Sequence, residues 1–291
     1  MNALEEAIIG SGAGTLRPRT TKIYLRTVRD YVKVAGGEER GWTEASVTAW
    51  ITSLCLRMQA NSANTMLRSL SAVSRRAFAV GLIARDFALA VEQLPVVIEK
   101  SRHPVPLSVG KRILSACAGP LMRDKRDHAL VSLGFYHGLR AESIVTIAFE
   151  DVDFDHDIIT VTLKGGGRHR LPLDPRSKPT LLLWTDVLRR KGVSSGAVFR
   201  SIPCSGRIGD KCLSTTSLYN IVRRRAAQAG IANFHPHLMR HSFISWAVAN
   251  GATFDQIRSV IGPETEAMIM WYTGDAREDG EEPKKLIPDL Q

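Results

Sequence analysis

Cysteine is scarce in this 291-residue chain, and none of it is paired in sequence. Cys55, Cys117, Cys204 and Cys212 are scattered, without a Cys-x-x-Cys spacing. That argues against a disulfide scaffold or a zinc ribbon and fits a reducing compartment. No apolar run reaches the length of a membrane helix. The opening residues MNALEEAIIG carry acids where a secretory leader carries bases. A soluble, cytoplasmic protein with no membrane partner is the expectation. Internal repeats and low-complexity segments are missing as well. Acids are in deficit, 29 against 39 Lys and Arg, and the resulting net charge of +10 suggests a polyanionic partner. What is present is ordinary for a folded chain: 44% hydrophobic and 23% charged residues. The length accommodates two domains with separate cores.

Residues 20–35 read as a two-faced helix. Tyr24, Val28, Tyr31 and Ala35 form one stripe, and Lys22, Arg26, Arg29 and Lys33 form another on nearly the opposite face, broken by Asp30. A cationic stripe of one sign is either a solvated surface or a phosphate contact, and its uniform sign favours phosphate. A second helix is expected over 44–57, with Val47, Trp50, Ile51 and Leu54 inside. A third covers 62–80, with Met66, Leu70, Val73, Ala77 and Val80 as its core stripe. The other side of that helix offers Arg68, Ser71, Ser74 and Arg75, small hydroxyls between cations that would admit a DNA backbone. Residues 94–107 hold three prolines and read as an extended linker. A helical bundle over 1–100 and a second domain over 101–291 follow.

In the second domain Ser108 is expected to cap a helix ending near Ala118, and 126–137 is an apolar-rich helix stopped by Gly138. Residues 157–163 and 168–173 alternate and are β-branched, so with the turn Lys164-Gly165-Gly166-Gly167 they predict a β-hairpin. That turn lacks the Gly-Lys-Ser/Thr that opens a P-loop helix. Helices over 179–190 and 214–229 follow, the latter carrying Arg223, Arg224 and Arg225 as backbone or groove contacts. The fold class is mainly α with a small antiparallel sheet.

The stretch from 235 to 273, HPHLMRHSFISWAVANGATFDQIRSVIGPETEAMIMWYT, concentrates chemistry. His237 shares a helix face with Arg240 and with His241. An Arg fork matches phosphate oxygens, imidazole moves protons, and the phenol of Tyr272 can act as a nucleophile. Helical segments are expected over 242–250 and 254–261, separated by Asn250-Gly251, and another over 264–271. His235, His237 and His241 could be read as metal ligands, but no carboxylate or cysteine completes the set, and Arg240 would place a cation beside the ion.

His237-x-x-Arg240-His241 followed about thirty residues later by Tyr272 resembles the C-terminal signature of the tyrosine recombinases, the phage integrase family. Gly138-Leu139-Arg140 with Asp151 and Asp153 matches a second motif, and Lys164 matches the lysine of the family's mobile β-turn. The N-terminal helices resemble the family's core-binding domain more loosely. The resemblance implies a site-specific DNA recombinase whose catalytic residues are Arg140, Lys164, His237, Arg240 and Tyr272. Tyr272 would attack a phosphodiester and leave a 3′-phosphotyrosyl link. Arg140 and Arg240 would clamp the non-bridging oxygens, and Lys164 would protonate the leaving 5′-oxygen. His237 would shuttle the nucleophile's proton or hydrogen-bond the phosphate. No metal, ATP or other cofactor is needed. Arg168 and Arg170 join Lys22, Arg26, Arg29, Lys33, Arg68, Arg75, Arg223 and Arg224 as expected DNA contacts. The partners implied are double-stranded DNA, a homotetramer on two duplexes in the nucleoid, and accessory DNA-bending proteins.

Two departures stand out. Ser143 occupies the place of the family's acid, with Glu142 one residue earlier as a substitute brace. Pro263 replaces a His or Trp, so one phosphate hydrogen bond is lost or comes from His241 or elsewhere. These departures keep open a DNA-binding protein of the same fold without strand exchange; a type IB topoisomerase shares the tyrosine chemistry. The acidic, then apolar tail from about 274 either docks on a neighbouring protomer or frays.

Overall fold

Helix-spaced apolar side chains build the first core. In α1 (Pro18–Ala35) Val28 and Tyr31 are fully buried, and in α2 (Glu44–Arg57) Val47, Trp50 and Leu54 are. The Tyr31 and Trp50 rings meet edge to face, 5.5 Å between centroids. Thr43 caps α2, accepting from Ser46 N. Asp30, expected to interrupt a cationic stripe, instead ties the two helices together. It accepts Trp50 Nε1 at 2.8 Å and both Arg57 Nη atoms at 2.9 and 3.0 Å. The Arg57 guanidinium holds its carboxyl below the usual range.

The third helix, α3 (Ala60–Ala79), corrects two expectations. Val80 lies beyond its end and is 48% exposed, while Ala63 and Leu67 join Leu70, Val73 and Ala77 in the core. Ser74 is fully buried, so it does not offer a hydroxyl to a DNA backbone. Ser74 Oγ donates to Asp86 at 2.6 Å. The place of Ser74 between Arg68 and Arg75 in sequence hid this, because a helix turns far enough in three residues to take a side chain inside.

The structure is a computed structural model that describes residues 5, 8, 16, 18–36, 43–86, 91–95, 105–163, 165–203, 206–262 and 269. The chain divides into two compact units, Met1–Lys100 and Ser101–Gln291. Lys164, Pro263, Tyr272, Cys204, the 264–271 segment as a helix, the tail from 274 and most of the proline-rich linker lie outside the described residues. No described helix is long and apolar enough to cross a membrane.

The second unit is organised around α5 (Met122–His137), which is buried along almost its whole length. It begins a turn earlier than expected, because its charged first turn is an interior ion network and not a surface. Before it, α4 (Leu107–Ser115) starts at Pro106, not Ser108. Pro106 presets the entry and Ser108 lies inside the first turn. After α5 come α6 (Ala141–Val145), a 3-10 turn, and the antiparallel sheet β1-β2-β3 (Val152–Asp153, Ile158–Thr162, Arg168–Pro172). Thr162 pairs with Arg168 and Ile158 with Pro172, so Ile159, Val161 and Leu171 face the core. Then follow α7 (Lys178–Arg190), α8 (Thr215–Gln228), α9 (Pro236–Ala249) and α10 (Phe254–Ile261). The helix α9 starts at Pro236, well before residue 242, with proline in its first turn.

A buried salt-bridge cluster pins α8 to α5. Asp127, fully buried, accepts Arg126 Nη2 at 2.7 Å, Arg225 Nε at 2.8 Å and Arg224 Nη2 at 2.9 Å. Arg225 Nη2 also donates to Asp124 at 2.6 Å. Arg225, read from sequence as a groove contact, is therefore an interior strut. Nearby, burial pushes the Cys117 thiol up to about 12, which leaves it an inert core residue.

His137 is another buried ionisable group, its Nε2 2.9 Å from Ser177 Oγ. Burial pushes it down to about 4 from an ordinary 6.5. A lowered base is neutral in the fold while the unfolded chain already takes up a proton. Its contribution is therefore intact above pH 6.5 and is lost as the pH falls towards 4, by up to about 3 kcal/mol. Urea titrations at pH 7 and pH 4.5 should show this loss. A His137→Asn protein should show a visibly shallower pH dependence; an unchanged slope would rule the histidine out as its source.

Candidate active site

Two glycines let α9 come close to α5. A Cβ on Gly134 would lie 2.5 Å from Met239 Cε, and one on Gly138 would lie 2.6 Å from Phe243 Cδ1. Gly138 is also left-handed (φ 57°), closing α5 and turning the chain towards Arg140. Met239 and Phe243 flank Arg240 on α9, so their seating on α5 carries Arg240 to the turn. Arg240 is 3% exposed, and its Nη1 donates to the Gly138 carbonyl at 2.7 Å. The arginine of one motif is thus held to the backbone two residues before the arginine of the other. Arg140, half-buried, sits at the N-cap of α6 with extended backbone.

His237 lies in the first turn of α9 and is exposed. His241, one turn on, is buried, its Nδ1 3.4 Å from Ser245 Oγ. The shared helix face is therefore graded from a wet rim at His237 to the interior at Arg240 and His241. Among the described residues no group of three His, Cys, Asp or Glu is placed to hold a metal ion.

The position of the missing acid has a structural use. Ser143 is buried and its Oγ donates to Thr162 O at 2.6 Å, tying α6 to the end of β2. Thr162 lies two residues before Lys164, so the serine braces the root of the hairpin turn. Glu142 is exposed. At the same root, Leu163 lies against Gly262, where a Cβ would come within 2.7 Å of its Cδ2. His169 Nε2 donates to Ser259 O at 2.8 Å. The hairpin is thus joined to the end of α10, which leads on to Pro263 and Tyr272.

Of the expected DNA contacts, Lys22, Arg26, Arg29 and Lys33 are all exposed on α1, and Arg29 is paired with Glu5 at 2.7 Å. Arg68 and Arg75 flank a recess of about 160 Å³ that also takes in Ser71 and Gln93. In the second unit Arg170 and Arg223 are exposed. Arg168 is ion-paired with Asp151, and Arg224 with Asp127. Sequence reasoning missed the Ser143 and His169 bonds, and it missed an aromatic row. Tyr219 stacks on His235, which meets His237 edge-on.

Residues 108–279 match the model of the phage integrase family. The chain is 24% identical over 287 residues to tyrosine recombinase XerA of Saccharolobus solfataricus, covering 94% of this chain and 87% of that protein. It is 28% identical over 149 residues to tyrosine recombinase XerC of Pseudomonas aeruginosa, spanning 51% of this chain and 47% of that protein. Among solved structures, a lambda integrase tetramer bound to a Holliday junction superposes with a TM-score of 0.72 at 16% identity, covering 97% of this chain and 80% of that one.

Proposed function

Since this chain belongs to the phage integrase family, we propose that it is a site-specific tyrosine recombinase that cuts and rejoins duplex DNA through a 3′-phosphotyrosyl link. The observation that carries the reading is the bond from Arg240 to the Gly138 carbonyl, which joins the two arginine-bearing segments. Two guanidinium groups converging on one phosphate can hold both non-bridging oxygens and offset the charge gained in the transition state.

In this reading Tyr272 attacks phosphorus in line and the 5′-oxygen leaves. A free phenol titrates near 10, so the cationic site and the exposed His237 help it lose its proton. Lys164, which follows in sequence the strand end braced by Ser143, protonates the leaving oxygen. One phosphodiester bond is exchanged for another, so no energy source is consumed, and attack by a 5′-hydroxyl from a partner duplex completes the exchange. The first unit grips the DNA backbone through Lys22, Arg26, Lys33, Arg68 and Arg75. The active species is a homotetramer on two duplexes, a reading supported by the lambda integrase tetramer bound to a Holliday junction, and it works in the cytoplasm on the nucleoid.

A nicked duplex carrying DNA from beside the gene tests this. The purified protein should form a denaturant-stable adduct, in the presence of a chelator as well as without it, and mass spectrometry of the digest should place the DNA on Tyr272. A duplex that is shifted but never joined to protein would favour a DNA-binding protein without strand exchange. Relaxation of supercoils without site preference would favour a topoisomerase.

A further inference from the structure

His235 occupies the N-cap of α9 with extended backbone (φ −151°, ψ 163°), yet its side chain makes no capping hydrogen bond. An N-cap residue ordinarily uses its side chain to satisfy the helix's free N–H groups. Here the imidazole is turned to a different use. Its ring lies parallel to Tyr219, 6.2 Å between centroids and 7° between planes. It meets the His237 ring edge-on, at 6.4 Å and 76°. The Arg223 guanidinium lies over Tyr219 at 5.9 Å. Tyr219 and Arg223 are one helical turn apart on α8 and so share a face.

The foundation of this row is rigid. Ser214 caps α8, accepting from Ser217 N at 3.0 Å, and Arg225 locks the helix to α5 through Asp124 and Asp127. His237, by contrast, is an exposed side chain in a first helical turn. A general acid or base must be held close to its productive geometry, and a misplacement of 1 Å can cost about a hundredfold in rate.

We propose that His235 and Tyr219 are positioning residues that hold the His237 imidazole in its working orientation. The row hands the rigidity of α8 across to the rim of α9. This rests on the reading of His237 as a participant in strand cleavage. The role asked of His235 is that of a ring, not of a proton carrier, which a phenylalanine separates cleanly.

The test uses the full chain and the nicked duplex in single-turnover cleavage. His235→Ala and Tyr219→Ala should each bind the duplex as the wild type does and cut it about tenfold more slowly. His235→Phe should restore the rate to within about twofold and leave its pH profile unchanged. A His235→Ala protein that cuts at the wild-type rate would overturn the proposal. So would a His235→Phe protein no better than the alanine variant, or one with a displaced pH profile. A second readout does not depend on activity: the ring resonances of His237, assigned with His237→Gln, should move or broaden in Tyr219→Ala. If they stay in place, the row does not hold the ring. Should the wild type form no adduct at all, the recombinase reading fails, while these resonances still decide whether the row exists.

Discussion

An Arg240→Ala protein should bind its duplex normally and cut it roughly a thousandfold more slowly, the upper part of the range for loss of a preorganised charge-stabilising donor. The reason lies in what Arg240 touches. Its side chain is 3% exposed and its Nη1 is committed to the Gly138 carbonyl at 2.7 Å. A guanidinium fixed at one nitrogen is held in a set orientation, so it need not reorganise as charge builds on the phosphate. Arg240→Lys keeps the charge but has one rotatable ammonium in place of a planar fork, and it should recover only part of the rate. Loss of the bond to Gly138 also strips a donor from a carbonyl, so each variant is compared by thermal melting alongside single-turnover cleavage. An alanine variant that cuts within tenfold of wild type would falsify the assignment.

Asp127→Ala should be the most damaging change to the fold, lowering the unfolding free energy of the second unit by about 3–5 kcal/mol in urea titration. Three guanidinium groups surround this one carboxylate, two of them, those of Arg126 and Arg225, nearly inaccessible to solvent. Removing the carboxylate leaves those cations in a low-dielectric interior, with Asp124 able to answer only Arg225. The cost is that of uncompensated charge, not of lost packing. A loss below about 1 kcal/mol would mean that water reaches the cluster and screens it.

Helix α2 and helix α10 were legible to their ends because periodicity and caps agree there. Thr43 with Ser46 opens one, and Thr253 with Gln256 opens the other. The start of α5 was not legible, because Asp124, Arg126 and Asp127 look like a solvated surface until the partner helix supplies Arg224 and Arg225 from about a hundred residues away. Ser74 failed for a related reason: a small hydroxyl suits either a groove or an interior, and only Asp86 decides it. The motif arginines and histidines could be named from spacing. What spacing does not carry is orientation: which nitrogen of Arg240 is already spoken for, or what the ring of His235 leans on. Those depend on packing between elements distant in sequence.

The ion pairs inside the fold also change what the net charge of +10 means at different ionic strengths. Each cation that displaces a counterion from duplex DNA steepens the logarithmic salt dependence of binding by about 0.9. Arg126 and Arg225, buried against Asp127 and Asp124, cannot reach a phosphate and so add nothing to that slope. Lys22, Arg26 and Lys33, by contrast, remain exposed on α1. Sensitivity to salt is therefore set by where the acids are hidden, more than by how many bases the chain contains.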